Sequence, residues 1–94
     1  MVFRSTHVVR RDSPIGIIYS VTQTAEIVIR VYNLNGELVK EWKGNASPGV
    51  ANEWKWYGKN MYEEEVNNGV YICRIKATSG GSSESTTKLL AVLR

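Results

Sequence analysis

Trp56-Tyr57-Gly58, a polar connection, and then Asn67-Asn68-Gly69-Val70-Tyr71-Ile72-Cys73 form the stretch whose reading decides the fold. Trp54 and Trp56 alternate with Glu53, Lys55 and Tyr57, and Tyr71, Cys73, Ile75 and Ala77 alternate with Ile72, Arg74 and Lys76. Alternation at spacing two is the pattern of a half-buried strand, because successive side chains point to opposite faces. The stretch therefore predicts the end of one strand, a polar crossing, and the start of a second strand with Tyr71 and Cys73 turned inward.

The same spacing recurs outward from this centre. Ile15, Ile17, Tyr19 and Val21 alternate with Gly16, Ile18 and Ser20, and Ile27, Ile29 and Val31 alternate with Glu26, Val28, Arg30 and Tyr32. Leu38, Lys40 and Trp42 interleave with Val39 and Glu41, and Leu89, Ala91 and Leu93 with Lys88, Leu90 and Val92. The stretch around His7-Val8-Val9 is a further candidate strand, which would make seven. Turn signals separate the runs. Asn35-Gly36 supplies the φ > 0 residues of a tight hairpin, Ser47-Pro48-Gly49 marks a turn, and Ser79-Gly80-Gly81-Ser82-Ser83 reads as a flexible polar hairpin loop. Short strands at regular spacing, with almost no helical periodicity, predict an all-β sandwich, Ig-like or fibronectin-III-like, of about seven antiparallel strands.

At 94 residues the chain has room for one domain and one core. Residues 1–94 are read as a single Ig-like domain excised from the C-terminus of a larger protein. Its 43% hydrophobic and 22% charged residues are those of a globular protein and exclude a disordered one. The net charge of +3 is modest, and the basic residues are spread from Arg4 to Arg94 without a cluster, so nucleic acid is not an expected partner. One cysteine, Cys73, excludes an intramolecular disulfide and favours a bacterial or archaeal module over an extracellular eukaryotic one. No run approaches the roughly 18 apolar residues of a membrane-spanning helix, so no membrane insertion is expected, and no signal peptide is visible after Met1.

Two blocks carry a family resemblance. Val28-Ile29-Arg30-Val31-Tyr32-Asn33-Leu34-Asn35-Gly36-Glu37-Leu38-Val39 is similar to an apolar strand followed by Tyr-Asp/Asn-x-x-Gly-x-x-Val. Trp56, Gly58, Val66, Gly69, Val70, Tyr71 and Ile75 fall on a pattern of Trp-Asp-Gly, a polar loop, and Ser-Gly-Val-Tyr-x-x-x-Leu. Together they resemble the Ig-like domain named after the flagellar hook-capping protein FlgD, over about the last 80 residues of the chain. The closing Thr87-Lys88-Leu89-Leu90-Ala91-Val92-Leu93-Arg94 is similar to that family's last strand, and the chain also resembles the C-terminal sorting domains of type IX secretion. Tyr57 stands where the family has Asp, and Glu63-Glu64-Glu65 where it has Gly-Asn-Pro. The resemblance implies a C-terminal accessory module of a secreted or surface bacterial protein, with an extracellular or cell-surface location. It also implies that position 56 is an inward Trp, with positions 42 and 54 inward as well.

Several residues invite chemistry. Trp54 and Trp56 stand about 7 Å apart on one strand face, a spacing at which aromatic planes stack on sugar rings or, equally, fill a core; Trp42 carries the same two readings. Tyr71 before Cys73 resembles a tyrosine corner, and Cys73 reads as a small buried hydrophobe. A nucleophilic Cys73 needs a base, and the only histidine is His7. Glu63-Glu64-Glu65 reads as a solvated loop, since a calcium loop needs spaced oxygen ligands, and adjacent carboxylates cannot face one another across a glycosidic bond. Asn45-Ala46-Ser47 is a chance glycosylation match, and Gly80-Gly81 lacks the setting of a phosphate loop. No catalytic, metal or cofactor residues are assigned. The expected function is a non-enzymatic scaffold contacting protein through edge strands or the loops Lys43–Val50, Lys59–Asn68 and Ser79–Ser85. The alternatives are a carbohydrate-binding module of a hydrolase, and a hook-capping or secretion-sorting domain.

Overall fold

The computed structural model describes residues 2–9 and 14–93; within the first strand the side chains of residues 4, 5, 7 and 9 lie outside the described part. Among the described residues seven strands follow one another: β1 (Phe3–Val9), β2 (Ile15–Val21), β3 (Ala25–Tyr32), β4 (Leu38–Ala46), β5 (Asn52–Trp56), β6 (Gly69–Ser79) and β7 (Ser82–Val92). They form two antiparallel sheets, ordered β1-β2-β5 and β4-β3-β6-β7. In the constant-type immunoglobulin arrangement the fourth strand joins the first sheet. Here β4 pairs with β3 instead, as in the fibronectin-III-like form of the sandwich.

The inward residues of the two sheets make one core. Ile17, Tyr19 and Val21 of β2 with Trp54 and Trp56 of β5 face Ile27, Ile29 and Val31 of β3, Tyr71, Cys73, Ile75 and Ala77 of β6, and Leu90 and Val92 of β7. No polar or charged residue is buried among the described residues. Both lateral seams are closed by side chains. Trp42 of β4 stacks on Trp54 of β5 at 6.4 Å between ring centroids. On the other side, the Glu84 carboxylate of β7 accepts the backbone N–H groups of Val2 and Phe3 at 3.0 and 3.2 Å.

Two turns depart from the sequence expectation, in opposite directions. Asn33 N–H donates to the Glu37 carbonyl, Gly36 N–H donates to the Asn33 carbonyl, and only Gly36, at φ 83°, is left-handed. The β3–β4 connection is thus a three-residue loop of the kind built on a type I turn and a left-handed glycine. The Asn33 side chain fixes its length by accepting from the N–H groups of Asn35 and Glu37. The segment expected to be a flexible loop is the tight one: Ser79 pairs with Ser82, and Gly80 and Gly81 have φ of 55° and 84°. Positive φ at both central residues matches the twist of the flanking strands.

Candidate interaction surfaces

The connection from β5 to β6 crosses between the sheets and is held at both ends by core aromatics. The Trp56 indole N–H donates to the Lys59 carbonyl at 2.9 Å, and the Tyr71 hydroxyl donates to the Asn67 carbonyl at 2.7 Å, the bond expected of a tyrosine corner. Between these ties the chain makes a small hairpin, with Lys59 bridged to Glu65 and Val66 N–H on the Gly58 carbonyl. Its turn repeats the first one bond for bond. Asn60 N–H donates to the Glu64 carbonyl, the Asn60 side-chain oxygen accepts from Tyr62 and Glu64 N–H, and its amide reaches the Glu64 carboxylate. Asn33 does the same with Asn35 and Glu37. Where the first turn has Gly36, the second has Glu63 at φ 63°, the only left-handed residue other than glycine among the described residues.

The hairpin leans on the edge strand β4. Glu41 N–H points to the Met61 sulfur at 3.2 Å, and the Lys40 ammonium lies 3.4 Å from both the Asn60 carbonyl and the Glu63 carboxylate. An open groove of about 480 Å³ runs between the twin turns, with Asn33 and Leu38 on one side, Asn60, Met61 and Tyr62 on the other, and Tyr71 among its lining. At the lip Tyr62 is 83% exposed.

A second surface lies on the solvent face of the four-stranded sheet. Register places Tyr32, Ile72 and Leu89 side by side across β3, β6 and β7, with Val70 opposite Ala91 in the next row. Leu89 is 67% exposed and Val70 is also exposed. Beyond this apolar strip, about 7 Å along the strands, Arg30 stands directly opposite Arg74, and the next outward row brings Lys43, Val28 and Lys76 together. Arg30 Nε is held at 2.6 Å by the Glu41 carboxylate, and that bond keeps the Glu41 carboxyl below the usual carboxylate range. Arg74 and Lys76 make no ion pair among the described residues. The sequence shows this strip only as unbroken apolar runs, Val70–Cys73 and Leu89–Leu93, where alternation would have one face polar. The basic rows need the strand register to become visible.

Of the expected candidates, Trp54 and Trp56 are buried and Trp42 is half-buried with one ring face on Trp54, so the Trp54–Trp56 pair offers no exposed sugar platform. Cys73 is fully buried, and burial pushes its thiol up to about 12, far from a thiolate at neutral pH. The His7 side chain lies outside the described residues. Each glutamate of 63–65 has a place in the hairpin: Glu63 at the left-handed position, Glu64 on Asn60, Glu65 across from Lys59. No group of three or more His, Cys, Asp or Glu is placed to hold a metal among the described residues. Asn45 is exposed on β4. Among the described residues no helix is long and apolar enough to cross a membrane.

No family model and no curated protein matches the sequence. Among solved structures the chain is similar to dimeric latent PorU from Porphyromonas gingivalis, with a TM-score of 0.77 and 18% identity over 92% of this chain and 9% of PorU. It is also similar to FlgD from P. aeruginosa, with a TM-score of 0.70 and 15% identity over 96% of this chain and 70% of FlgD. The chain thus spans about a tenth of PorU and more than two thirds of FlgD. The sandwich seen here is the fold that these two proteins contain, as the FlgD-type resemblance of the sequence implied.

Proposed function

We propose that this chain is a non-catalytic accessory module through which a larger secreted or surface bacterial protein makes protein–protein contacts. The observation that carries this reading is the apolar strip on the solvent face of the four-stranded sheet, in which Leu89 is exposed and Tyr32 and Ile72 are half-buried, beside the exposed Arg74. Contiguous exposed apolar surface with a polar border is what interaction sites present. The side chains with chemical potential are engaged in structure: the Cys73 thiol is sealed in the core, and the glutamates of 63–65 shape a turn. The small share of PorU that this fold occupies supports the reading of a module within a larger protein. Likeness to FlgD and PorU supports a narrower form, in which the contact serves hook-cap assembly or secretion sorting.

Replacing Leu89 by the photo-crosslinking residue benzoylphenylalanine in cells that make the protein tests this directly. The expected result is a discrete protein adduct from position 89 that is absent when the probe replaces Lys55, which lies on the other sheet. No adduct, or adducts equal at the two positions, would count against the reading. A glycan array supplies the opposing outcome: saturable binding lost in Trp42→Ala would favour the carbohydrate alternative.

A further inference from the structure

The solvent face of the four-stranded sheet carries an unbalanced feature. Like charges directly opposite each other in a sheet are destabilising, yet Arg30 and Arg74 are register partners at its centre. Glu41 relieves Arg30, and more loosely Lys43, but not Arg74. Arg74 and Lys76 are left facing solvent two rows deep, with the apolar strip beside them. The face therefore fits a partner that brings an apolar side chain and carboxylates within a few residues of each other.

The same chain presents that combination, with three carboxylates in succession, at the tip of the small hairpin. The turn of the small hairpin puts Tyr62, 83% exposed, and Met61 immediately before Glu63, Glu64 and Glu65. The Glu63 side chain is 71% exposed and makes only a loose 3.4 Å pair with Lys40. The turn is also held in shape before any contact is made, by the Asn60 bonds to Tyr62 and Glu64, so little conformational freedom is lost on docking.

We propose that two copies of this chain associate by exchanging these surfaces, the Tyr62–Glu65 turn of each lying on the sheet face of the other. Tyr62 covers the strip of Ile72 and Leu89, and the carboxylates of Glu63 and Glu64 meet Arg74 and Lys76. The turn is pinned through Met61 and Lys40 to β4, the edge strand of the same sheet. Donor and acceptor surfaces therefore belong to one sheet, with β3 between them, and a two-fold axis can close the contact in both directions at once. The contact area is that of one turn on one strip, doubled by symmetry, which places it among the weak, salt-sensitive associations.

The inference rests on the reading of this sheet face as a contact surface, and the experiment separates the two. Sedimentation velocity of the purified chain is followed from roughly 10 µM to roughly 1 mM, at low salt and at about 0.5 M salt. The expected result is a monomer–dimer shift with concentration that salt weakens. Arg74→Glu and Glu63→Lys, both on the surface, should each remain monomeric and cooperatively folded, Arg74→Glu with a midpoint no lower than wild type because the new carboxylate also faces Arg30. An equimolar mixture of the two should associate again, because one contact is then native and the other has its charges exchanged. A wild-type chain that stays monomeric throughout, or a mixture no better than either variant alone, overturns the exchange. Should that occur while the Leu89 probe captures a different protein, self-association falls and the contact surface stands. Should the probe capture nothing as well, both fall.

Discussion

The rings of Trp56 and Tyr71 meet edge to face at 5.5 Å, and from that contact each side chain sends its one polar atom to an opposite end of the β5–β6 crossing, Trp56 to Lys59 and Tyr71 to Asn67. The two residues belong to different sheets. Their packing joins the layers while their hydrogen bonds fix where the crossing leaves and re-enters the sandwich. Core packing and the shape of the loop are therefore one arrangement, and the hairpin between the ties inherits its position from two buried rings.

Separate substitutions should distinguish the two roles of Tyr71. Tyr71→Phe keeps the ring and loses only the bond to Asn67, with an expected cost of about 1 kcal/mol. Tyr71→Ala and Trp56→Ala also remove core volume, at about 3–5 kcal/mol each for a large aromatic. Urea unfolding gives these values, and amide exchange gives the local effect: Tyr71→Phe should accelerate exchange near Asn67 while leaving β3 unchanged. Equal protection in that loop would mean the hydroxyl bond does not hold it.

The twin turns make a paired prediction. A residue other than glycine in the left-handed region carries roughly 1–2 kcal/mol of steric cost, against roughly 0.5–1 kcal/mol for the greater freedom that glycine loses on folding. Glu63→Gly should therefore raise stability by about 0.5–1 kcal/mol, and Gly36→Glu should lower it by a similar amount. The exposed pair of Glu63 with Lys40 is too solvated to reverse the sign. A thermal midpoint that falls in Glu63→Gly would show that the Glu63 side chain contributes more than its backbone position costs.

Much of this was legible in the residues, and what was not has a common cause. Period-two runs located the strands, and spacing placed Trp56, Tyr71 and Cys73 inward, because a strand's own alternation decides which face each residue takes. The turns were misjudged because dipeptide cues omit the neighbours: the Asn33 side chain captures Asn35 and Glu37 and lengthens one loop, while the pairing of Ser79 with Ser82 tightens the other. The contact surface was hidden for the same reason. Tyr32, Ile72 and Leu89 lie far apart in sequence, and only register makes them neighbours. Local chemistry is written in one strand, but a surface is written across several.

Gly44 is required by a ring rather than by a backbone angle. A Cβ at this position would lie 2.4 Å from Trp42 Cη2 and 2.7 Å from Cζ2, because residues two apart on β4 share the inward face. The indole is rigid and already stacked on Trp54, so it cannot yield without opening the seam between β4 and β5. Gly44→Ala should cost about 1–3 kcal/mol, as overpacking does, and should change the fluorescence of the Trp42–Trp54 pair. An unchanged emission spectrum with unchanged stability would place Trp42 in a looser seat than the geometry gives it.

The opposite seam responds to pH. Glu84 is held below the usual carboxylate range, first by the Val2 N–H and then by that of Phe3. A carboxyl whose folded pKa is depressed binds its proton more readily in the unfolded chain. Its contribution to stability is therefore complete above the ordinary glutamate pKa and is lost as pH falls through the lower folded value. Glu41, held down by Arg30 and then by Lys43, acts in the same direction. Lowering the pH from neutrality through the ordinary glutamate range, about 4.3, and below it should first release the start of β1 from β7. The protection factors of the Val2 and Phe3 amides, taken against intrinsic exchange at each pH, should then fall ahead of global unfolding. Glu84→Gln should show low protection at those two amides already at neutral pH, with little further change in protection on acidification. If the variant and the wild type keep the same pH dependence there, the seam is closed by the packing of Val2 and Phe3 and the carboxylate is incidental to it.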